Sequence, residues 1–154
     1  MKTLIAFTLA AITLMPAAEP ITRKTMGLAL ARELTMAAEA EALKNKWNVV
    51  IVIVDETGNL VNLARMDDTQ YGSIDVAQKK ARTAARFRRS TRVFSDRITK
   101  GDSTPLSLPD VIAIPGGLPL MADGKVIGAI GVSGVTSDQD EQIATAAVNV
   151  MAKR

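Results

Sequence analysis

The chain has 154 residues, of which 47% are hydrophobic and only 3% aromatic, and its formal net charge at pH 7 is +3. It contains no cysteine and no histidine. This excludes disulfides and thiolate chemistry, and it removes the commonest general base and the commonest transition-metal ligand. The length suits one domain, with a core built from aliphatic side chains.

The first 18 residues are typical of a secretory signal peptide. Lys2 gives a short positive start, an uncharged apolar run extends from Leu4 to Leu14, and the small residues Ala17 and Ala18 follow. The alternative is an amphipathic or buried first helix. We therefore expect a single mature domain over 19–154, exported to the periplasm or to the outside of the cell. No later stretch is long and apolar enough to span a membrane.

A helix and a strand hairpin are predicted in the first half of the mature chain. Apolar residues recur there at three- and four-residue spacing, with Thr22 as a candidate cap. A continuous run of Val and Ile follows, which is typical of a strand buried on both faces. The predicted elements are, in order, a helix over 26–43, a strand over 48–54, a turn over 55–59 and an antiparallel return strand over 60–66.

In the second half of the chain, the sequence predicts further helices around a glycine-rich hairpin. The pair Asp123-Gly124 between two apolar runs indicates a type I′ turn, and glycines at 128, 131 and 134 suggest close packing against another backbone or a ligand. The predicted elements are a helix from Ser73 to about Arg89, a short helix from Ser90 or Thr91 toward Gly101, a strand over 111–114, the hairpin, and a helix from Asp138 to about Met151 with Ser137 as its N-cap.

This order of elements predicts the fold class. Tight turns join consecutive strands, so the sheet is expected to be mostly antiparallel, with helices covering one or both faces. The prediction is an α+β domain and not a doubly wound parallel sheet.

A basic stretch from Lys79 to Lys100 is the first candidate site. Lys79, Arg82, Arg86 and Arg89 follow one another at spacings of three, four and three, which places them on one face of a helix. Such a face is often simply solvated. Alternatively, its guanidinium groups bind carboxylates, including propionates. Nucleic acid is not expected as a partner, because interleaved aromatic residues and a recognised motif are both missing.

Two loops carry the other candidates. The loop from Met66 to Ser73 contains adjacent aspartates and Tyr71, the only tyrosine, whose phenolate is a recognised axial ligand of haem iron. A packing role for that ring is the alternative. The Gly116-Gly117 segment matches no phosphate-binding motif and favours a structural hairpin. No nucleophile–base pair marks a catalytic site.

These segments together resemble the GlcG/HbpS family of small haem-binding-type proteins, which is related to the C-terminal domain of PduO-type proteins. The resemblance covers about residues 22–152. It implies a profilin-like α+β domain with an antiparallel sheet of about five strands and flanking helices, and homo-oligomers, often octamers. The segments that carry it are 52–60 with Arg65-Met66-Asp67, 73–74, 80–84 with Phe87, 114–119 through 131–134, and 138–140.

The resemblance implies an exported protein that binds haem or a related tetrapyrrole, here without a histidine ligand. Tyr71 is the candidate iron ligand, and the alternatives are a methionine such as Met66, a weaker oxygen donor, or no strong axial ligand. The candidate cofactor-binding residues are Arg65, Tyr71, Arg82, Arg86, Arg89, Gly116 and Gly117. Two other functions remain open: an enzyme or accessory factor acting on a small organic acid, and an interaction protein whose basic helix docks an acidic partner.

Overall fold

The computed structural model describes residues 18–153, so the predicted signal peptide lies outside the described residues except for Ala18. Within that range the chain forms four strands, four α-helices and one 3₁₀ turn. In order they are α1 Leu28–Asn45, β1 Val50–Asp55, β2 Leu60–Arg65, α2 Gly72–Phe87, α3 Arg92–Thr99, the 3₁₀ turn Thr104–Ser107, β3 Gly117–Ala122, β4 Lys125–Ser133 and α4 Ser137–Met151. The predicted α+β class with an antiparallel sheet is confirmed.

The four strands form one antiparallel sheet in the order β2-β1-β4-β3. The side chains of the central strand β1 alternate between two cores. Ile51 and Ile53 pack with α1 and α4, whereas Val50, Val52 and Val54 pack with the alanines of α2. The sheet therefore lies between α2 on one face and α1 with α4 on the other, as expected when a strand is apolar from Val50 to Val54.

The sheet has four strands and not the predicted five or so. The predicted strand over 111–114 is absent, because this stretch bonds to a helix side chain and not to a neighbouring strand. The Ile112 N–H donates to Thr83 Oγ1 over 3.1 Å, and that hydroxyl donates to the Asp110 carbonyl over 3.2 Å. The predicted hairpin is confirmed: Asp123 and Gly124 have φ of 48° and 70°, as a type I′ turn requires.

Three helix ends differ from the predictions: the starts of α1 and α4 and the end of α2. The helix α1 begins after Gly27 without a side-chain cap, so Thr22 does not cap it. The helix α2 ends at Phe87, because Arg88 adopts a left-handed conformation with φ of 53°. Thr136, not Ser137, caps α4, because its side chain and that of Gln139 form a reciprocal capping box.

Two glycines that face each other across β3 and β4 bring α2 close to the sheet. A Cβ on Gly117 would lie 2.4 Å from the Lys80 carbonyl oxygen, and one on Gly131 would lie 2.1 Å from the Ala77 carbonyl oxygen. The expectation that glycines mark close backbone packing is confirmed at this contact. Among the described residues, no helix is long and apolar enough to cross a membrane.

Candidate functional site

The loop between β2 and α2 brings Arg65 and Tyr71 together. Arg65 is the last residue of β2, and Tyr71 immediately precedes α2. The guanidinium carbon of Arg65 lies 5.1 Å from the centroid of the Tyr71 ring, and Arg65 Nη1 donates to the Thr69 carbonyl over 3.3 Å. The cation–π contact and the hydrogen bond fix the guanidinium beside the ring. The Tyr71 residue remains 79% exposed.

These residues line a surface groove, here called the Arg65–Tyr71 groove. Its volume is about 620 Å³, and it is lined by Arg65 at the end of β2 and by Asp67, Asp68, Thr69, Gln70 and Tyr71 of the loop that follows. A second hollow of about 370 Å³ shares Arg65, Asp67 and Asp68 and extends to Leu43 of α1. Both volumes lie within the usual range for small-molecule sites, about 300–1,000 Å³. The groove offers one cation, two carboxylates and a phenol to a ligand.

Thr69, which lines the groove, has an unsatisfied hydroxyl. The residue is only 4% exposed, and among the residues described its Oγ1 is the one buried side-chain oxygen or nitrogen without a hydrogen-bond partner. Buried polar groups are nearly always paired, and exceptions often mark a place completed by a water or a ligand. Because the Thr69 hydroxyl is buried, a ligand in the groove does not reach it in this arrangement of the loop.

Arg82 and Arg86 lie further along α2 and bind the turn between β1 and β2. Arg82 Nε donates to the Gly58 carbonyl over 3.3 Å, Arg86 Nε donates to the Thr57 carbonyl over 3.1 Å, and Arg86 Nη1 pairs with Asp110. At about 1.5 Å per helical residue, Arg86 lies about 22 Å from Tyr71 along α2. The structure therefore does not bring these two arginines to the Arg65–Tyr71 groove.

The turn that they cover is itself organised by Asp55. One carboxylate oxygen of Asp55 accepts hydrogen bonds from the backbone N–H groups of Thr57 and Asn59, each over 2.9 Å. Burial raises the pKa of Asp55, but the hydrogen bond from the Thr57 hydroxyl, over 2.6 Å, and these two backbone hydrogen bonds together outweigh it and hold that pKa below its ordinary value. The segment 52–60, which supports the family resemblance, thus forms a hydrogen-bonded turn beneath two arginines.

Arg89 does not share the helix face of Arg82 and Arg86, because α2 has already ended at Phe87. Arg89 Nε donates to the Phe87 carbonyl over 3.1 Å, and its guanidinium lies 5.9 Å from the centroid of the Phe94 ring. The single four-residue basic face predicted from the spacing is therefore wrong. Three of its members lie on α2, and Arg89 packs at the junction with α3.

Gly116 and Gly117 are buried against a lysine that the sequence analysis did not single out. Lys80 is 1% exposed, and its Nζ donates to Asp140 Oδ2 over 2.7 Å and to the Val132 carbonyl over 2.9 Å. Gly116 has φ of 113°, and a Cβ there would lie 3.0 Å from that Nζ. The two glycines thus cover a buried ion pair and present no open surface within the described chain.

The ion pair joins α2, the end of β4 and the start of α4. Burial lowers the pKa of Lys80 and raises that of Asp140, and the hydrogen bond between them opposes both shifts. The sequence spacing could have predicted the burial of Lys80. It lies three residues after Ala77 and four before Ala84, which are both buried, so all three residues share one face of α2. Lys80 lines neither hollow described above, and its two hydrogen bonds link α2 to β4 and α4.

Comparisons with known proteins agree with one another. The family described as "Haem degrading protein HbpS-like" matches residues 26–149. Protein GlcG of Escherichia coli K12 is 39% identical over 112 residues, which cover 73% of this chain and 84% of GlcG. The crystal structure of Klebsiella pneumoniae protein ORFY is similar with a TM-score of 0.81 and 32% identity, covering 92% of this chain and 99% of ORFY. The crystal structure of a PduOC–haem complex is similar with a TM-score of 0.75 and 32% identity, covering 81% of this chain and 94% of PduOC.

Proposed function

Because this chain belongs to the HbpS-like family, we propose that it binds haem or a related tetrapyrrole in the Arg65–Tyr71 groove, without a histidine ligand. The observation that carries the proposal is the exposed Tyr71 phenol held beside Arg65 at the edge of a groove of suitable volume. The solved complex of PduOC with haem, at 32% identity, supports the choice of ligand.

Two residues of the groove, Arg65 and Tyr71, carry groups that are suited to binding haem. A tyrosine phenolate is an accepted axial ligand of haem iron, and an arginine pairs well with a propionate carboxylate. Met66, the alternative iron ligand, packs in part against the core and also lines the second hollow, so it stays the alternative to Tyr71. Bound haem would supply a redox-active iron, for which Tyr71 would be the ligand, and Arg65 would place its charge opposite the propionates.

Two wider features of the protein are part of the proposal. We propose export to the periplasm or the cell exterior, on the basis of the apolar N-terminal run. We also propose a homo-oligomer, with an octamer as the expected form. Its support is the family resemblance, together with the exposure of Met36 and Leu43, which lie seven residues apart on one face of α1 and are 64% and 60% exposed.

Charge reversal at Arg65 tests the location of the site. Arg65→Glu should weaken haemin binding by at least about tenfold, equivalent to about 1.4 kcal/mol, because it removes the cation opposite a propionate and adds a third carboxylate beside Asp67 and Asp68. Affinity is measured by titrating haemin and following the Soret band at fixed salt concentration.

The matched control is Lys100→Glu, which makes the same change in charge at an exposed residue lining neither hollow. It should bind haemin as the unaltered protein does. Equal affinities for Arg65→Glu and Lys100→Glu would place the ligand elsewhere. A wild-type titration without saturation would contradict haem binding itself.

A further inference from the structure

The outer side of α1 carries a row of five accessible residues, here called the α1 stripe. The stripe consists of Leu28, Arg32, Met36, Glu39 and Leu43. Their spacings of four, four, three and four residues keep them on one side of the helix, while the opposite side is buried in the core. Its three large apolar side chains are all exposed. A row of this kind differs from the scattered apolar residues of an ordinary surface and marks a contact surface.

The order of residues in the α1 stripe is self-complementary. Leu28 and Leu43 lie at equal distances from the point midway between residues 35 and 36, and so do Arg32 and Glu39. A two-fold axis through that point, perpendicular to the helix, brings a second α1 alongside in the opposite direction. It places Leu28 level with the partner's Leu43, Arg32 level with the partner's Glu39, and Met36 beside the partner's Met36.

The two charges of the stripe favour this direction. Within the described part of the chain, neither Arg32 nor Glu39 forms an ion pair, and their positions on α1 are about 10 Å apart along the axis. An antiparallel pair of helices brings opposite charges together at both places, whereas a parallel pair would place like charges opposite each other. Since exposed ion pairs stabilise weakly, the apolar residues supply the affinity and the charges set the direction.

We propose that a second copy of this chain occupies the α1 stripe, with the two helices packed antiparallel about a two-fold axis beside Met36. This inference specifies one contact within the homo-oligomer proposed above, and it rests on that part of the proposed function. The same surface of each copy is used, so the contact is closed and leaves no stripe uncovered.

The contact also extends the hollow next to the Arg65–Tyr71 groove. Leu43 and Glu39 line the hollow of about 370 Å³, which includes Arg65. In the antiparallel pair, the partner's Leu28 lies level with Leu43 and the partner's Arg32 lies level with Glu39. Each copy therefore adds an apolar side chain and a cation at the rim of the other copy's hollow, which becomes a site shared between two chains.

The first arm of the test uses introduced cysteines, which report contacts without background because the chain has none. Leu28→Cys and Leu43→Cys are made in separate full-length chains with tags of different mass, and the chains are expressed alone or together. Under mild oxidation the co-expressed chains should form a disulfide-linked heterodimer. Either variant alone should not be linked, because identical positions would lie about 22 Å apart along the helices, beyond the reach of a disulfide.

The matched control for this arm is Lys100→Cys co-expressed with Leu43→Cys. Lys100 is exposed and lies outside α1, so this pair should give no heterodimer. Links within each single variant, without links between Leu28→Cys and Leu43→Cys, would show a parallel contact and contradict the inference.

The second arm exchanges the charges. Arg32→Glu and Glu39→Arg should each weaken self-association at least about tenfold, because each places like charges opposite each other. The combined variant should restore it, because the two charges have changed places. Sedimentation velocity over a series of protein concentrations measures the association, and thermal unfolding of each variant checks that the fold is retained.

The outcomes separate this inference from the function proposed above. If the wild-type protein is oligomeric but the heterodimer does not form, or if the combined variant does not restore association, the α1 contact is wrong and the homo-oligomer stands. If the wild-type protein sediments as a monomer at every concentration, both are wrong. The haemin titrations test ligand binding separately from either result.

Discussion

Replacing Lys80 by Met is expected to lower the free energy of unfolding by about 3–5 kcal/mol, because it leaves a buried carboxylate without its partner. The Lys80 ammonium is 1% exposed and bonds to Asp140, which is 2% exposed, and to the Val132 carbonyl. Methionine has a similar volume, so the loss is electrostatic and not a matter of a cavity. Urea denaturation at pH 7 measures the difference.

The pH dependence of this variant identifies the cause. Burial raises the pKa of Asp140 above its ordinary value, and in Lys80→Met no ammonium opposes that shift. A carboxyl whose folded pKa is raised stabilises the fold fully below its unfolded pKa, and this stability is lost as pH rises through the folded pKa. The loss in free energy of unfolding caused by Lys80→Met should therefore become smaller as the pH falls toward about 4, which is near the ordinary pKa of aspartate.

Two further variants control the experiment. Lys79→Met removes the neighbouring lysine, which is exposed, and should change stability by less than about 0.5 kcal/mol. The double variant Lys80→Met with Asp140→Leu should regain much of the lost stability, because a buried ion pair can be replaced by apolar side chains at little cost. If Lys80→Met were as stable as Lys79→Met, the buried ion pair would have no structural role.

Gly131→Ala is expected to destabilise the protein by about 3 kcal/mol, at the upper end of the usual overpacking range. The added Cβ would lie 2.1 Å from the Ala77 carbonyl oxygen and 2.5 Å from the Ala81 nitrogen. Both atoms belong to the backbone of α2, so no side-chain rotation relieves the clash, and the helix must move away from the sheet. Thermal and urea denaturation measure the loss.

The matched control is Gly72→Ala, at the first residue of α2. A Cβ there meets nothing within 4 Å, and φ is not left-handed. The variant should be stabilised by about 0.4–1 kcal/mol, because alanine loses less conformational freedom on folding. Equal stabilities for Gly131→Ala and the wild-type protein would show that α2 does not rest on this strand as described.

The sequence predicted those features that depend on short-range pattern. The apolar run over 48–54, the Asp123-Gly124 turn and the spacing of apolar residues in the helices placed most elements to within a few residues. The error at 111–114 arose because a short apolar run indicates burial but not its hydrogen-bond partner, here the Thr83 hydroxyl. The profilin-like arrangement implied by the family resemblance stays a prediction.

The contacts at the candidate site were harder to predict, because they join side chains that only the folded structure brings together. Spacing placed Arg82 and Arg86 on one face of a helix, but their hydrogen bonds to the turn at Thr57 and Gly58 depend on the packing of α2 over the sheet. Arg65 and Tyr71 are six residues apart across a loop, where no periodicity predicts a contact. Lys80 was not singled out because it is one of several neighbouring basic residues, and basic side chains usually lie in solvent. Its position on the apolar stripe of α2 nevertheless indicated burial.

The central claim is that Tyr71 in the Arg65–Tyr71 groove ligates the iron of a bound tetrapyrrole. The most direct measurement is a parallel haemin titration of the wild-type protein and Tyr71→Phe, with resonance Raman spectra of both ferric complexes. We expect saturable binding with iron–phenolate vibrations in the wild-type protein, and loss of those vibrations with at least about tenfold weaker binding in Tyr71→Phe. Identical affinities and spectra for the two proteins would contradict the claim.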